Sequence, residues 1–160
     1  MKAIFKFGLS LMLVSICFSV FAQNSAPSKK VITNRVDSIV QIPYFTFVAN
    51  QVLPVRGVSR YLTGEYTLKV TKDTVAAYLP FFGRAYTAPL NASEAGIEFI
   101  SKDFEYQKKV SKKGNYEIHI VPRDIRNNYQ FFLTIFKNGE ATLSVSSIQR
   151  EPISFYGTVK

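Results

Sequence analysis

Residues 131–145 read Phe131-Phe132-Leu133-Thr134-Ile135-Phe136-Lys137-Asn138-Gly139-Glu140-Ala141-Thr142-Leu143-Ser144-Val145. Two runs rich in aromatic and β-branched residues, Phe131 to Phe136 and Ala141 to Val145, flank the pair Asn138-Gly139. Asn-Gly between such runs is the strongest short-range hairpin signal, because both residues tolerate the positive φ that a tight turn requires. The segment therefore predicts a β-hairpin, and the rest of the chain is read against a period of two.

Upstream, Phe45, Phe47 and Ala49 alternate with Thr46, Val48 and Asn50. Tyr66, Leu68 and Val70 form one face of a second run, and Val75, Ala77 and Leu79 one face of a third, with Lys72-Asp73 as a tight join. Ile97 to Ser101, Phe104 to Val110, Tyr116 to Val121 and Tyr129 to Phe136 follow, and Ile153, Phe155 and Gly157 mark the last run. About nine short strands with no helices between them predict a mainly β fold, an antiparallel β-sandwich or small β-barrel. Pro80 to Ala95, with Gly83 and Pro89, is the longest irregular stretch.

The remaining segments lie before the strands. Lys2 and Lys6 precede an apolar run from Gly8 to Phe21 that closes on Ala22. A basic start, a short apolar middle and a small residue at the end predict a cleaved signal peptide over 1–22 and export of the mature chain. Cys17 sits inside the apolar run behind the bulky Ile16, which opposes lipidation and leaves the mature chain without a thiol. Residues 23–43 read as a lead-in followed by a short amphipathic helix, on which Ile32, Val36, Ile39 and Val40 share a face, ended by Pro43. Residues 44–160 form one β domain.

Composition sets the outer limits. Of 160 residues, 47% are apolar and only 19% charged, which excludes a disordered chain. With 20 basic and 11 acidic residues the formal charge is +9; losing Lys2 and Lys6 leaves 18 against 11, or +7. An anionic partner fits that balance. For an exported protein, an anionic glycan, a lipid headgroup or an envelope protein suits it better than nucleic acid. Most of the expected strands are shorter than the about 9–11 residues of an outer-membrane barrel strand and their number is odd, which opposes such a barrel, and no transmembrane segment is expected in the mature chain.

Chemistry-bearing residues are sparse. His119 is the one histidine and shares a strand face with Glu117 and Val121, away from Tyr116, Ile118 and Ile120. A lone histidine without convergent partners reads as a half-exposed strand residue. Asp103 and Glu105, Glu94 and Glu98, and Asp124 read as solvated acids. No nucleophile elbow, zinc-binding pair or phosphate loop occurs, so no catalytic residue, cofactor or metal is expected. Lys108, Lys109, Lys112 and Lys113 surround a turn at Ser111 and Gly114 and form a basic patch, which either binds an anion or keeps a sheet edge soluble. The stretch Tyr78 to Pro89 places Tyr78, Phe81, Phe82 and Tyr86 around Arg84. As packing, it is a loop whose rings complete the core while Arg84 satisfies carbonyls; as a site, it is a pocket lip on which those five residues bind a ligand.

The same stretch carries a family likeness. Leu79-Pro80-Phe81-Phe82-Gly83-Arg84-Ala85-Tyr86, then Gly96-Ile97-Glu98-Phe99, then Gly139-Glu140-Ala141-Thr142-Leu143, then Arg150-Glu151-Pro152-Ile153-Ser154-Phe155-Tyr156-Gly157 occur in order. With Tyr44 to Pro54 they span nearly the whole expected mature chain. In these elements the sequence resembles the family known as domain of unknown function 4251, small exported proteins of Bacteroides-type bacteria. The resemblance implies a periplasmic or envelope location and a single domain, with no established activity. A host of that kind also implies O-glycosylation at Thr74 of Asp73-Thr74-Val75, and less so at Ser38 of Asp37-Ser38-Ile39. The expected function is a non-catalytic ligand- or partner-binding module. The alternatives are a hydrolase acting on an envelope glycan or lipid, and a structural accessory protein without a small ligand.

Overall fold

The computed structural model describes residues 43–86 and 96–160; the expected leader, the expected helix and Ser38 lie outside them. Each expected run becomes a strand: β1 (Phe45–Pro54), β2 (Arg60–Val70), β3 (Val75–Leu79), β4 (Ile97–Ser101), β5 (Phe104–Val110), β6 (Tyr116–Pro122), β7 (Gln130–Ile135), β8 (Glu140–Ser147) and β9 (Arg150–Val159). The turns follow local chemistry. Thr71 N–H donates to the Thr74 carbonyl at 2.8 Å around Lys72-Asp73. The β7–β8 loop is Lys137-Asn138-Gly139, closed by Phe136 N–H to the Glu140 carbonyl, with Gly139 at φ 85°. That is the three-residue hairpin loop, in which glycine takes the left-handed position.

The strands form one sheet in the order β4-β3-β2-β1-β9-β8-β7-β6-β5, every neighbouring pair antiparallel. An antiparallel sheet with an odd number of strands has edge strands that point the same way. Here the edges are β4 and β5, which only Lys102-Asp103 joins. Parallel neighbours need a crossover of a dozen or more residues. β4 and β5 are therefore two halves of one bent strand, whose first half pairs with β3 and whose second pairs with β6. The result is a nearly closed barrel, an up-and-down meander whose first and last strands, β1 and β9, pair with each other. The bend makes the corner.

Asp124 holds that corner. Its carboxylate accepts from the Ser101 hydroxyl and from the Lys102 and Asp103 amides. These bonds, the Ser101 hydroxyl foremost, keep the carboxyl below the usual carboxylate range.

The period of two decides what is inside. Phe45, Phe47 and Ala49, then Ile118 and Ile120, then Phe131, Leu133 and Ile135 are buried, while their alternates face outward. Phe47, Phe131 and Phe155 are the largest fully buried side chains. Each contributes about 1.5–3 kcal/mol by leaving water. Gly157 on β9 allows a close approach to β1, because a Cβ there would run into the Val48 carbonyl oxygen and the Phe47 ring.

The meander sorts the connections to two ends. β1–β2, β3–β4, β6–β7 and β8–β9 connect at one end; the β2–β3, β5–β6 and β7–β8 turns lie at the other, with Tyr44 and Lys160.

Candidate functional site

Pro80 and Gly83 end the β3 ladder, since proline cannot donate to it and glycine weakens it. The chain then runs along the rim of the barrel against the start of β9. Ala85 forms an isolated antiparallel bridge with Arg150. Tyr86 N–H donates to the Gln149 carbonyl at 2.8 Å, and Glu151 N–H to the Arg84 carbonyl at 3.0 Å. Arg84 N–H donates to Glu151 Oε2 at 3.3 Å. The loop is a short added strand, fixed by its backbone.

Its side chains divide differently from the packing expectation. Phe81 alone packs against the core, while Phe82, Arg84 and Tyr86 are exposed. Tyr78 stands on the outside of β3, stacked on Tyr66 at 5.6 Å. The guanidinium that seats the loop belongs to Arg150, which is 6% exposed. Its Nη1 donates to the Gly96 carbonyl at 2.8 Å, and its Cζ lies 4.9 Å from the Phe81 ring centroid. The role the sequence suggests for Arg84 thus falls to Arg150. The space among Phe81, Ile97, Tyr129 and Ile153 has no room for a water molecule, so Phe81 closes the barrel there and lines no cavity.

What remains exposed at this end is a combination of arginine and apolar surface. Val55 and Val58 project from the β1–β2 connection and Tyr61 from the start of β2, Phe82 and Tyr86 from the loop, and Ile148 from the β8–β9 connection. Tyr61 is 84% and Val58 76% exposed. Arg60 Cζ lies 5.6 Å from the Phe82 ring centroid, and Arg56 Nε is 3.7 Å from Glu151 Oε1. Glu151 therefore ties the three connections together and is already engaged by Arg56 and by the loop. All six described arginines, Arg56, Arg60, Arg84, Arg123, Arg126 and Arg150, lie on this half of the barrel.

The basic patch lies at the other end. Lys112 and Lys113 form the β5–β6 turn, and Lys108 and Lys109 precede it, all exposed. Lys109 stands opposite Glu117 and Lys108 opposite Ile118. Thr74 is half-buried, and its carbonyl accepts from both the amide and the hydroxyl of Thr71.

Among the described residues, two grooves lie on the outer strand faces. One, of about 280 Å³, is lined by Gln107, Lys109, Glu117, His119, Phe132 and Thr134. In its wall the His119 ring stacks on Phe132 at 4.2 Å. The other, of about 420 Å³, lies against Lys69, Tyr78, Glu98 and Ile100. His119 and Arg84 share neither groove. Glu105 lies below the usual carboxylate range because Gln107 and then Arg123 donate to it. Tyr106 Oη and His119 Nε2 are buried without a hydrogen-bond partner among the described residues, and burial pushes the Tyr106 phenol up to about 12. Among the described residues, no three His, Cys, Asp or Glu side chains gather where they could hold a metal, and no helix is long and apolar enough to cross a membrane.

Sequence reasoning misses the β1–β2 tip and Arg150. A signal for the tip was present: Val55-Arg56-Gly57-Val58-Ser59-Arg60-Tyr61 puts apolar residues where a turn is ordinarily polar. For Arg150 no local signal exists, since its burial depends on a loop far away in sequence.

The fold has a solved counterpart. A crystal structure of a DUF4251 family protein from Bacteroides eggerthii DSM 20697, at 1.95 Å resolution, is similar with a TM-score of 0.60 and 16% identity, over 81% of this chain and 87% of that one. No curated protein matches the chain. The sequence matches the family described as Domain of unknown function (DUF4251) over residues 28–159, nearly the whole β domain and more than half of the chain. It is a member of the DUF4251 family.

Proposed function

We propose that the protein is an exported, non-catalytic binding module of the cell envelope, and that its arginine-bearing end engages an anionic envelope component. The observation that carries this reading is the placement of Arg56, Arg60 and Arg84, all exposed, at one end of the barrel, with Arg56 beside Glu151 and Arg60 over the Phe82 ring. A guanidinium is weakly hydrated and presents a fork of donors that fits phosphate, sulfate or carboxylate. Exposed rings and aliphatic side chains beside it supply area that leaves water on binding. Phe81 closes the barrel at this end and leaves no room for a water molecule beside it.

A binding role fits the side-chain distribution better than hydrolysis. His119 and Arg84 lie at separate places, and the His119 ring stacks on Phe132 with no hydrogen bond from its Nε2 to the Glu117 and Thr134 that line the same groove. Export rests on the basic, apolar and small-residue pattern of residues 1–22.

Thermal denaturation with increasing dextran sulfate tests the proposal. The expected result is a rise in melting temperature that salt weakens and that Arg60→Ala with Arg84→Ala abolishes. No rise at low salt, or an equal rise in the double variant, would refute the arginine end as the anion site.

A further inference from the structure

The occupant of the arginine end can be named from the way its apolar side chains are arranged. Val55 and Val58 stand on the β1–β2 connection with Tyr61 at the start of β2 beside it, Phe82 and Tyr86 stand on a second connection, and Ile148 on a third, so the apolar surface consists of separate tips at one end of a barrel. A peptide or a rigid protein partner is ordinarily gripped by a continuous groove or a flat patch. Separate apolar tips ringed by cations suit a soft layer that closes around each of them, which describes the headgroup region of a bilayer. Tyrosine is at home at that depth, with its ring among acyl chains and its hydroxyl in water. Arginine adds attraction to anionic headgroups while its stem lies along the apolar boundary.

We infer that this end docks the protein on the surface of an anionic phospholipid bilayer, with Val58 and Tyr61 entering the interface and Arg56, Arg60 and Arg84 resting on the headgroup phosphates. The inference rests on the reading that the arginine end binds anions, and it commits that reading to lipid. Backbone pairing of Ala85 with Arg150 and the Arg84 N–H bond to Glu151 hold the second and third tips against each other, and Arg56 beside Glu151 brings the first tip next to them. Such a surface gives reversible attachment, since no single tip carries enough apolar area to anchor the chain.

Co-sedimentation with vesicles tests the inference, using phosphatidylcholine alone or phosphatidylcholine with phosphatidylglycerol. The protein should sediment with the mixed vesicles at low salt and remain in solution with the neutral ones. Arg56→Gln and Arg60→Gln should each weaken binding roughly fivefold. Val58→Asp and Tyr61→Ser should weaken it at least as much without lowering the melting temperature, because both side chains are exposed. Lys112→Gln with Lys113→Gln should change binding less than any of these. Sedimentation with neither vesicle, or equal loss in the lysine variant, would overturn the inference. Stabilisation by dextran sulfate without vesicle binding would overturn it too, and would leave the anion-binding reading standing; failure of both would remove both.

Discussion

The two ends of the barrel carry the same sign of charge by different means. At one end, arginines stand among exposed Val55, Val58, Tyr61, Phe82, Tyr86 and Ile148. At the other, the turns Lys72-Asp73, Lys112-Lys113 and Lys137-Asn138-Gly139 carry lysines and polar residues, and the exposed large hydrophobics are fewer, Tyr44 and Val110. The ammonium of lysine is compact and strongly hydrated, and on strand ends and turns it keeps the backbone from pairing with other chains. Arginine beside apolar surface can leave water together with its neighbours. Net charge alone would treat the two ends alike; the company each charge keeps distinguishes them, and on the proposed reading only the arginine end binds.

The largest expected effect lies at the lysine end, in the β1–β9 pairing that closes the meander. Gly157→Ala would push a methyl group into the Val48 carbonyl and the Phe47 ring, and backbone cannot yield as a flexible side chain can. It should destabilise the fold by about 3 kcal/mol or more in urea denaturation. Retention of full stability would mean that β1 and β9 approach less closely than described.

At the arginine end the most sensitive residue is the buried Arg150. Arg150→Ala leaves the Gly96 carbonyl without its donor and uncovers Phe81, and should cost about 2–3 kcal/mol. Arg150→Lys should recover only part of that, because an ammonium cannot lie flat on the ring. Arg84→Ala makes the contrast within the same loop. Arg84 is exposed and pairs through its backbone, so its removal should change stability by less than about 0.5 kcal/mol while reducing anion binding. If the two variants lose equal stability, Arg84 also helps to seat the loop.

A smaller effect is expected at the corner. The Asp124 carboxyl is held low by its hydrogen bonds in the folded chain, so its contribution is complete at neutral pH and is lost as pH falls through that lowered value. Asp124→Asn should melt at a lower temperature than the parent at neutral pH, and the two curves should converge in acid. A difference that persists unchanged below the carboxylate range would assign the effect to packing instead of charge.

Most of the fold is legible in the chain because strand faces and turns are local properties. Phe45, Phe47 and Ala49 alternate into the core as their spacing predicts, and Lys72-Asp73 and Asn138-Gly139 turn where expected. The choice of barrel over sandwich was not legible. It depends on β1 pairing with β9, and on Lys102-Asp103 bending one strand, a fact that emerges only from the parity of the whole sheet. The site was half legible for the same reason. The loop from Phe81 to Tyr86 stood out by composition, yet which arginine would be buried beneath it depended on a contact between residues far apart in sequence.

Whether one end of the barrel docks and the other does not can be measured with a single pair of labels. The sequence has one cysteine, Cys17, inside the expected leader, so the chain from Gln23 onward can carry a cysteine at a chosen site. An environment-sensitive fluorophore would be placed on Val58→Cys at the arginine end, or on Asp73→Cys at the lysine end, and each protein mixed with phosphatidylglycerol-containing vesicles at low salt. A blue shift and protection from aqueous quencher are expected at residue 58, with residue 73 unchanged. A shift at residue 73, or equal responses at both positions, would contradict docking by the arginine end alone.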